Sequence, residues 1–297
     1  MMKVKDIMKV IEEFAPLSIQ EGWDNSGLCI GSPDAPVTSV LLGLDCTPEL
    51  VDEAIECGAD MIVTHHPLIF SGLKKISPED QVGEAVFKAI KAGISIYAAH
   101  TNADKVITGV SGAMAAKLGL RNVSILDEDG EGTGLGVVGD LPEALSSEEA
   151  VALVKDKFGL KVLKASQPLE GKISRVAMCG GSGGSLIKAA KASGAQLYIS
   201  GDISYHNFFT PDGFMIMDIG HYESEIDIVD ILRGALPLPI DYKELNLIGK
   251  TLNIPKEEVY MMWETRVKQV LESAGMNIYS NSTLVNSMFD CAKKQLL

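Results

Sequence analysis

Asp60-Met61-Ile62-Val63-Thr64-His65-His66-Pro67 is the stretch that decides the fold. Its apolar run is short and β-rich and reads as a buried strand, and Pro67 stops further pairing and stiffens the exit. Just upstream, Gly58 closes a helix that begins at Thr47-Pro48-Glu49, with Thr47 as the N-cap and Pro48 in the first helical position. Before that helix, Ser39 to Asp45 is a second apolar strand. Strand, helix and strand make a βαβ unit, which implies parallel pairing and a right-handed crossover. In such sheets ligands sit beyond the carboxyl ends of the strands, where Asp45 and His65-His66 both fall. Neighbouring strand residues point to opposite faces; at the strand's end the pleat relaxes, and both imidazoles can turn into one pocket.

Reading outward, Val4 to Phe14 places Val4, Ile7, Met8, Ile11 and Phe14 on one helical face. Glu21 to Gly31 is a turn leading into a strand. Asp24 or Asn25 would there orient a ligand, or the turn is simply capped, with Trp23 in the core. Asp45 is either a carboxylate behind a ligand or a residue that opens the helix. A loop from Pro67 to Pro78 precedes a helix from about Gln81 to Ala92. The strand Ile94 to Ala99 then delivers His100-Thr101-Asn102-Ala103-Asp104, and Val110 to Leu118 is helical. Asp104, a short carboxylate in a tight turn, is a good hard ligand. His100 reads as a ligand or, preferably, as a group behind one, since the site already has nitrogen donors.

The acidic, glycine-rich stretch from about Ser124 to Gly136 is read as a domain junction, after which the pattern restarts. A helix spans Ser147 to Phe158, with strands at Leu160 to Ala165 and Ile173 to Cys179. Gly180-Gly181-Ser182-Gly183-Gly184-Ser185 follows, between a strand and a helix. It is either an anion cradle built from backbone N–H groups or a tight turn; it fits neither the Walker A nor the dinucleotide pattern. Gln196 to Ser200 enters Gly201-Asp202 and Tyr205-His206, where His206 faces the cleft as a substrate contact or proton donor. Phe214 to Ile219 delivers Gly220-His221-Tyr222-Glu223-Ser224-Glu225. On a helix starting there, His221 and Glu225 lie one turn apart on one face, the spacing that presents an imidazole and a carboxylate together. A helix from about Lys256 to Ala274 and a strand from Met276 to Tyr279 are expected in the tail.

All five histidines sit at the ends of apolar runs, beside acids, glycines or hydroxyls, and converge in this reading on one metal site. The expected fold class is α/β: two α/β domains with mixed sheets flanked by helices, and a metal site at strand carboxyl ends in the interdomain cleft. The expected division is 1–125 with 215–297 as a metal-binding domain and 126–214 as the second. With 297 residues, a net charge of −14 and a pI near 4.8, extensive nucleic-acid binding is disfavoured, because phosphate affinity comes from Lys and Arg. No stretch approaches a membrane span, and the N-terminus has no signal-peptide core. The five scattered cysteines contain no C-x-x-C; they read as reduced thiols in a cytoplasmic protein, not a zinc site.

Trp23-Asp24-Asn25-Ser26-Gly27-Leu28, Thr64-His65-His66-Pro67, His100 to Asp104, Gly201-Asp202 with Tyr205-His206, and Gly220 to Glu225 occur in that order. With these motifs the chain, up to about residue 230, resembles the GTP cyclohydrolase I type 2-like family, also called the NGG-one-interacting-factor-three-like family. The resemblance implies two α/β domains, a homohexameric ring and a dinuclear divalent-metal site. It implies metal ligation by His65, His66, Asp104, His221 and Glu225, with two ions per subunit (zinc, iron, manganese, cobalt or nickel). The segment 140–171 is too short for the domain that long family members insert, and 227–270 is longer than usual. The expected function is a metal-dependent hydrolase acting on a small, nucleotide-like substrate, with attack at C8 of guanine or at a phosphoester and with His206 and His100 as catalytic groups. The alternative is a non-catalytic metal carrier, insertion factor or regulatory interaction protein built on the same ligands.

Overall fold

A computed structural model of the chain describes residues 2–236, and within them two mixed sheets carry the architecture. The first contains β1 (Gly27–Ile30), β2 (Val40–Gly43), β3 (Met61–Thr64) and β4 (Ser95–Ala98), in the order β1-β4-β3-β2. β2, β3 and β4 are parallel and β1 is antiparallel to β4. The βαβ reading holds: α2 (Pro48–Cys57) joins β2 to β3, Thr47 Oγ1 accepts from the Leu50 amide, and Gly58 closes the helix in the left-handed conformation at φ 70°. α3 (Gln81–Ala92) joins β3 to β4 in the same way. Val51 and Ala54 of α2 pack with Ala85, Val86 and Ala89 of α3 against Ile62 and Ile96 of the sheet. α1 (Val4–Phe14) buries Val4, Ile7 and Ile11, the face its spacing predicts.

After α4 (Thr101–Asp104) and α5 (Val110–Leu118), the chain enters the second sheet, with the order β5-β6-β8-β9-β10-β7. Its strands are β5 (Arg121–Gly130), β6 (Thr133–Leu145), β7 (Lys164–Ala165), β8 (Ile173–Ser182), β9 (Leu197–Gly201) and β10 (Met215–Asp218). β8, β9 and β10 are parallel and the outer pairings are antiparallel. α6 (Ser147–Lys157) and α5 cover one face, where Met114, Val154, Met178 and Ile199 share a core. α7 (Ile187–Ala192) lies on the other, with Ile187 and Ala190 against Tyr198 and Ile216.

Three sequence expectations change. The stretch 124–136 is not a linker but most of the β5–β6 hairpin. β5 is an edge strand exposed along most of its length, and such strands carry the charges that mimic a linker. The strand expected over Leu160 to Ala165 shrinks to β7, which pairs only with the end of β10. β10 itself, grouped by sequence with the first domain, hydrogen-bonds into the second sheet beside β9, because its four buried residues need cover on both faces. The helix expected over 256–274, the strand over 276–279 and most of the 215–297 assignment lie outside the described residues.

Candidate metal centre

The parallel strands of both sheets aim their carboxyl ends at one cluster. His65 and His66 follow β3, and the ladder continues through them: the His65 amide donates to Gly43 O and the His66 amide to Leu44 O. His100 follows β4 and Asp104 ends α4. From the second sheet, Gly220 turns the chain after β10 at φ 96° and starts α8 (His221–Glu225). Buried Asp218 holds this turn, accepting from the amides of Gly220 at 3.0 Å and Ile203 at 3.1 Å.

Three ligand groups emerge, each with donor atoms within 4.8 Å of one another: His65, His66 and His100; His66, His221 and Glu225; His65, Asp104 and Glu225. All five residues the resemblance implied, and His100, are thus brought together. Glu225 belongs to two groups. Its Oε2 lies 3.0 Å from His66 Nε2 and 3.1 Å from His221 Nε2, and its Oε1 lies 3.8 Å from His65 Nε2.

Four imidazoles are oriented alike. His65 Nδ1 donates to the Ala99 carbonyl at 2.7 Å, His66 Nδ1 to Asp45 at 2.8 Å, His100 Nδ1 to Asp24 at 2.7 Å and His221 Nδ1 to Asp202 at 2.8 Å. With each Nδ1 proton engaged, each ring in its neutral form presents Nε2 as a lone pair, the arrangement of metal-binding histidines. His66 Nε2 and His221 Nε2 face each other at 3.3 Å. Of the buried side-chain polar atoms that lack a hydrogen-bond partner among the described residues, three belong here: His65 Nε2, Asp104 Oδ1 and Glu225 Oε2. The fourth is Asn102 Oδ1, whose amide nitrogen donates to Ala15 O. Buried acceptors without donors are costly, and divalent cations would satisfy the three at the cluster; imidazole and carboxylate donors suit transition-metal ions.

The electrostatics agree with a pocket built for positive charge. Burial opposes a charged His65, but Asp104 and Glu225 outweigh it and raise its pKa to about 9. The Glu225 carboxylate, 3.1 Å from its Nε2, raises His221 to about 9 against burial. Burial also opposes ionisation of Glu225, yet His221, His65 and His66 hold its carboxyl well below the usual carboxylate range. Burial raises Asp104. Without a metal, protons take the cation's place.

Asp45 stands behind His66, its Oδ1 2.8 Å from Nδ1. Asp24 faces inward to hold His100, the Thr101 backbone and hydroxyl and Ser26. Trp23 is not core; it is 60% exposed. His206 is exposed, its ring against Tyr205 and Phe209, and belongs to none of the ligand groups. Asp202, four residues before His206 in the sequence, turns back to His221 from a left-handed backbone at φ 51°, a conformation Asp tolerates better than most residues.

The glycine-rich stretch is not a free loop: Gly180 to Ser182 end β8, and Gly184 and Ser185 enter a single 3-10 turn. Its N–H groups serve the protein: Gly180 donates to Ser111 Oγ, Gly181 to Ser224 Oγ and Gly183 to Ser200 Oγ. Gly181, at φ 60°, suits glycine on two counts: the left-handed backbone favours it, and a Cβ there would displace Glu225 Oε1. Gly181 and Ser224 shape the site, a role the sequence reading gave to neither: Gly181 was read as part of a cradle or turn and Ser224 only as part of the His221 motif. Among the described residues no cysteine belongs to a ligand group, and burial pushes Cys46 and Cys179 up to about 12. Cys291 lies outside the described residues.

Fold and cluster together define a class: a two-sheet α/β protein with histidine and carboxylate donors gathered at converging strand ends. The DUF34/NIF3 (NGG1p interacting factor 3) family model matches residues 2–247, and the chain belongs to that family. A Clostridium perfringens protein named GTP cyclohydrolase 1 type 2 homolog is 39% identical over 263 residues, covering 86% of this chain and 99% of that protein. A Clostridium acetobutylicum protein of the same name is 35% identical, covering 79% and 91%. Among solved structures, a Bacillus cereus protein related to NIF3 superposes with a TM-score of 0.72 at 26% identity, covering 85% of this chain and 94% of that one. Reduced HcgD from Methanocaldococcus jannaschii superposes with a TM-score of 0.68 at 28% identity, covering 80% and 96%. No helix among the described residues is long and apolar enough to cross a membrane.

Proposed function

We propose that the cluster is a dinuclear divalent-metal centre and that the protein is a metal-dependent hydrolase of a nucleotide-like substrate. The observation that carries this reading is the set of three buried, unpartnered donor atoms, His65 Nε2, Asp104 Oδ1 and Glu225 Oε2, with the imidazoles already locked for ligation. One ion would be held by His66, His221 and Glu225, the other by His65, Asp104 and Glu225, with Glu225 shared. A carboxylate can serve two ions through its two oxygens, which a neutral imidazole cannot do. Bound there, the ions would supply Lewis acidity toward a substrate oxygen and toward water.

The chain's own contribution is orientation and proton handling. Asp45, Asp202 and the Ala99 carbonyl fix the ligand rings. His100 sits next to the ligands with its Nδ1 on Asp24, so its Nε2 is the group placed to take or return a proton. His206, exposed and outside the ligand groups, is given no step. The substrate class follows from the relatives' name; guanine C8 is the reacting atom to test first and a phosphoester the second.

The test is elemental analysis of protein purified without added metal, followed by a turnover screen with nucleotides. The expected result is two ions per chain and metal-dependent turnover, lost in His100→Ala with metal retained. Fewer than two ions at saturation would overturn the dinuclear reading. Two readily chelated ions with no turnover of any nucleotide would favour a metal carrier.

A further inference from the structure

Two large aromatic side chains stand in the open beside the cluster, and the metal chemistry uses neither. Trp23 is 60% exposed and Phe70 is 55% exposed, unusual for rings of this size. Their centroids are 5.8 Å apart, and they lie 6.1 Å and 6.3 Å from the ring of His100. The His100 ring is in turn 5.3 Å from that of His65 and 5.4 Å from that of His66. One imidazole therefore separates the aromatic pair from the candidate ligands.

The pair is positioned by hydrogen bonds. Asp24, next to Trp23, is tied to His100 and Thr101, and Asn25 Nδ2 donates to Ile69 O at 2.6 Å, joining the Trp23 turn to the residue before Phe70. The planes within the trio meet at 51°, 72° and 76°, so no ring covers another's face by parallel stacking. A planar partner can still lie on them, and aromatic side chains bind bases through the π-face whatever the base.

We propose that Trp23 and Phe70 form a stacking platform for the base of the ligand, holding a nucleobase-type heteroaromatic ring beside His100 and the metal ligands. This rests on the nucleotide reading above and adds to it the residues that select a planar base. Leu73 and Ile76, farther along the Phe70 loop, are also exposed, so a second copy of the chain is the competing occupant.

The experiment is calorimetric titration of the metal-loaded full chain with guanosine, which lacks phosphate, and with ribose 5-phosphate, which lacks the base. Trp23→Ala should weaken guanosine binding about tenfold or more, with metal content and ribose 5-phosphate affinity unchanged, and Trp23→Phe should restore most of the loss. Phe70→Ala should act in the same direction and serves as the second variant if Trp23→Ala folds poorly. The platform is overturned if wild-type protein does not bind guanosine, or if both alanine variants bind it as the wild type does. Equal affinity with a changed molecular mass would assign the rings to contact between copies. Trp23-dependent guanosine binding without turnover would sink the hydrolase and keep the platform, whereas turnover indifferent to Trp23 would do the reverse.

Discussion

The two halves of the candidate centre are built differently. One ligand group, His65, Asp104 and Glu225, is the more buried: the side-chain exposures are 0%, 18% and 4%. Its imidazole is held by a backbone carbonyl, Ala99 O, within a continuing strand ladder. The other group shares Glu225 but adds His66 and His221, exposed by 22% and 37% and held by the side chains of Asp45 and Asp202. Backbone support is rigid and offers no side chain to remove, while carboxylate support is adjustable and faces solvent. The buried group should therefore hold its ion tightly, and the half-exposed group should exchange first and stand nearest to substrate.

The hardest blow to both halves is Gly181→Val. The new side chain would occupy the place of Glu225 Oε1 from a backbone at φ 60° that valine resists. We expect loss of both ions and destabilisation of about 2 kcal/mol or more, read by elemental analysis and chemical denaturation; a variant with full metal content would refute the contact. Glu225→Gln keeps the shape and removes the shared charge, so occupancy of both sites should fall together, while His65→Ala and His221→Ala should each chiefly empty one. Retention of one ion at wild-type affinity in Glu225→Gln would rule out sharing.

Asp45→Asn and Asp202→Asn sharpen the comparison. Both carboxylates hold imidazoles of the same proposed ion site, so each substitution should weaken that site by about 10- to 100-fold and spare the other. A competition titration with a chromogenic chelator resolves the two affinities, and equal weakening of both ions would erase the distinction. The last test is in pH. In metal-free protein His65 and His221 have pKa values raised to about 9 from 6.5. Their contribution to stability is then fully present below pH 6.5 and is lost as pH rises through 9. Melting temperatures of chelator-treated protein should fall over that window, whereas metal-loaded protein should not follow, because ligation releases those protons. Parallel curves for the two forms would disconnect these histidines from the ions.

Local chemistry carried much of this into the sequence. Thr47, Pro48 and Gly58 mark a helix start and stop that any context would respect, and the spacing of His221 and Glu225 needs only one helical turn. The glycine run Gly180 to Ser185 stayed open between turn and anion cradle because both need the same residue; what decides is Glu225, forty-odd positions away in sequence and against Gly181 in space. Asp202 is four residues from His206, yet the fold gives it to His221.

By itself the sequence determined the βαβ order, the mixed α/β class, and the residues able to hold metal, because capping, periodicity and donor chemistry are properties of neighbours along the chain. The tertiary structure alone decided that β10 joins the second sheet, that Asp24 turns inward while Trp23 stays out, and which carboxylate holds which imidazole. Those are pairings between distant segments, set by burial and hydrogen-bond satisfaction summed over both sheets.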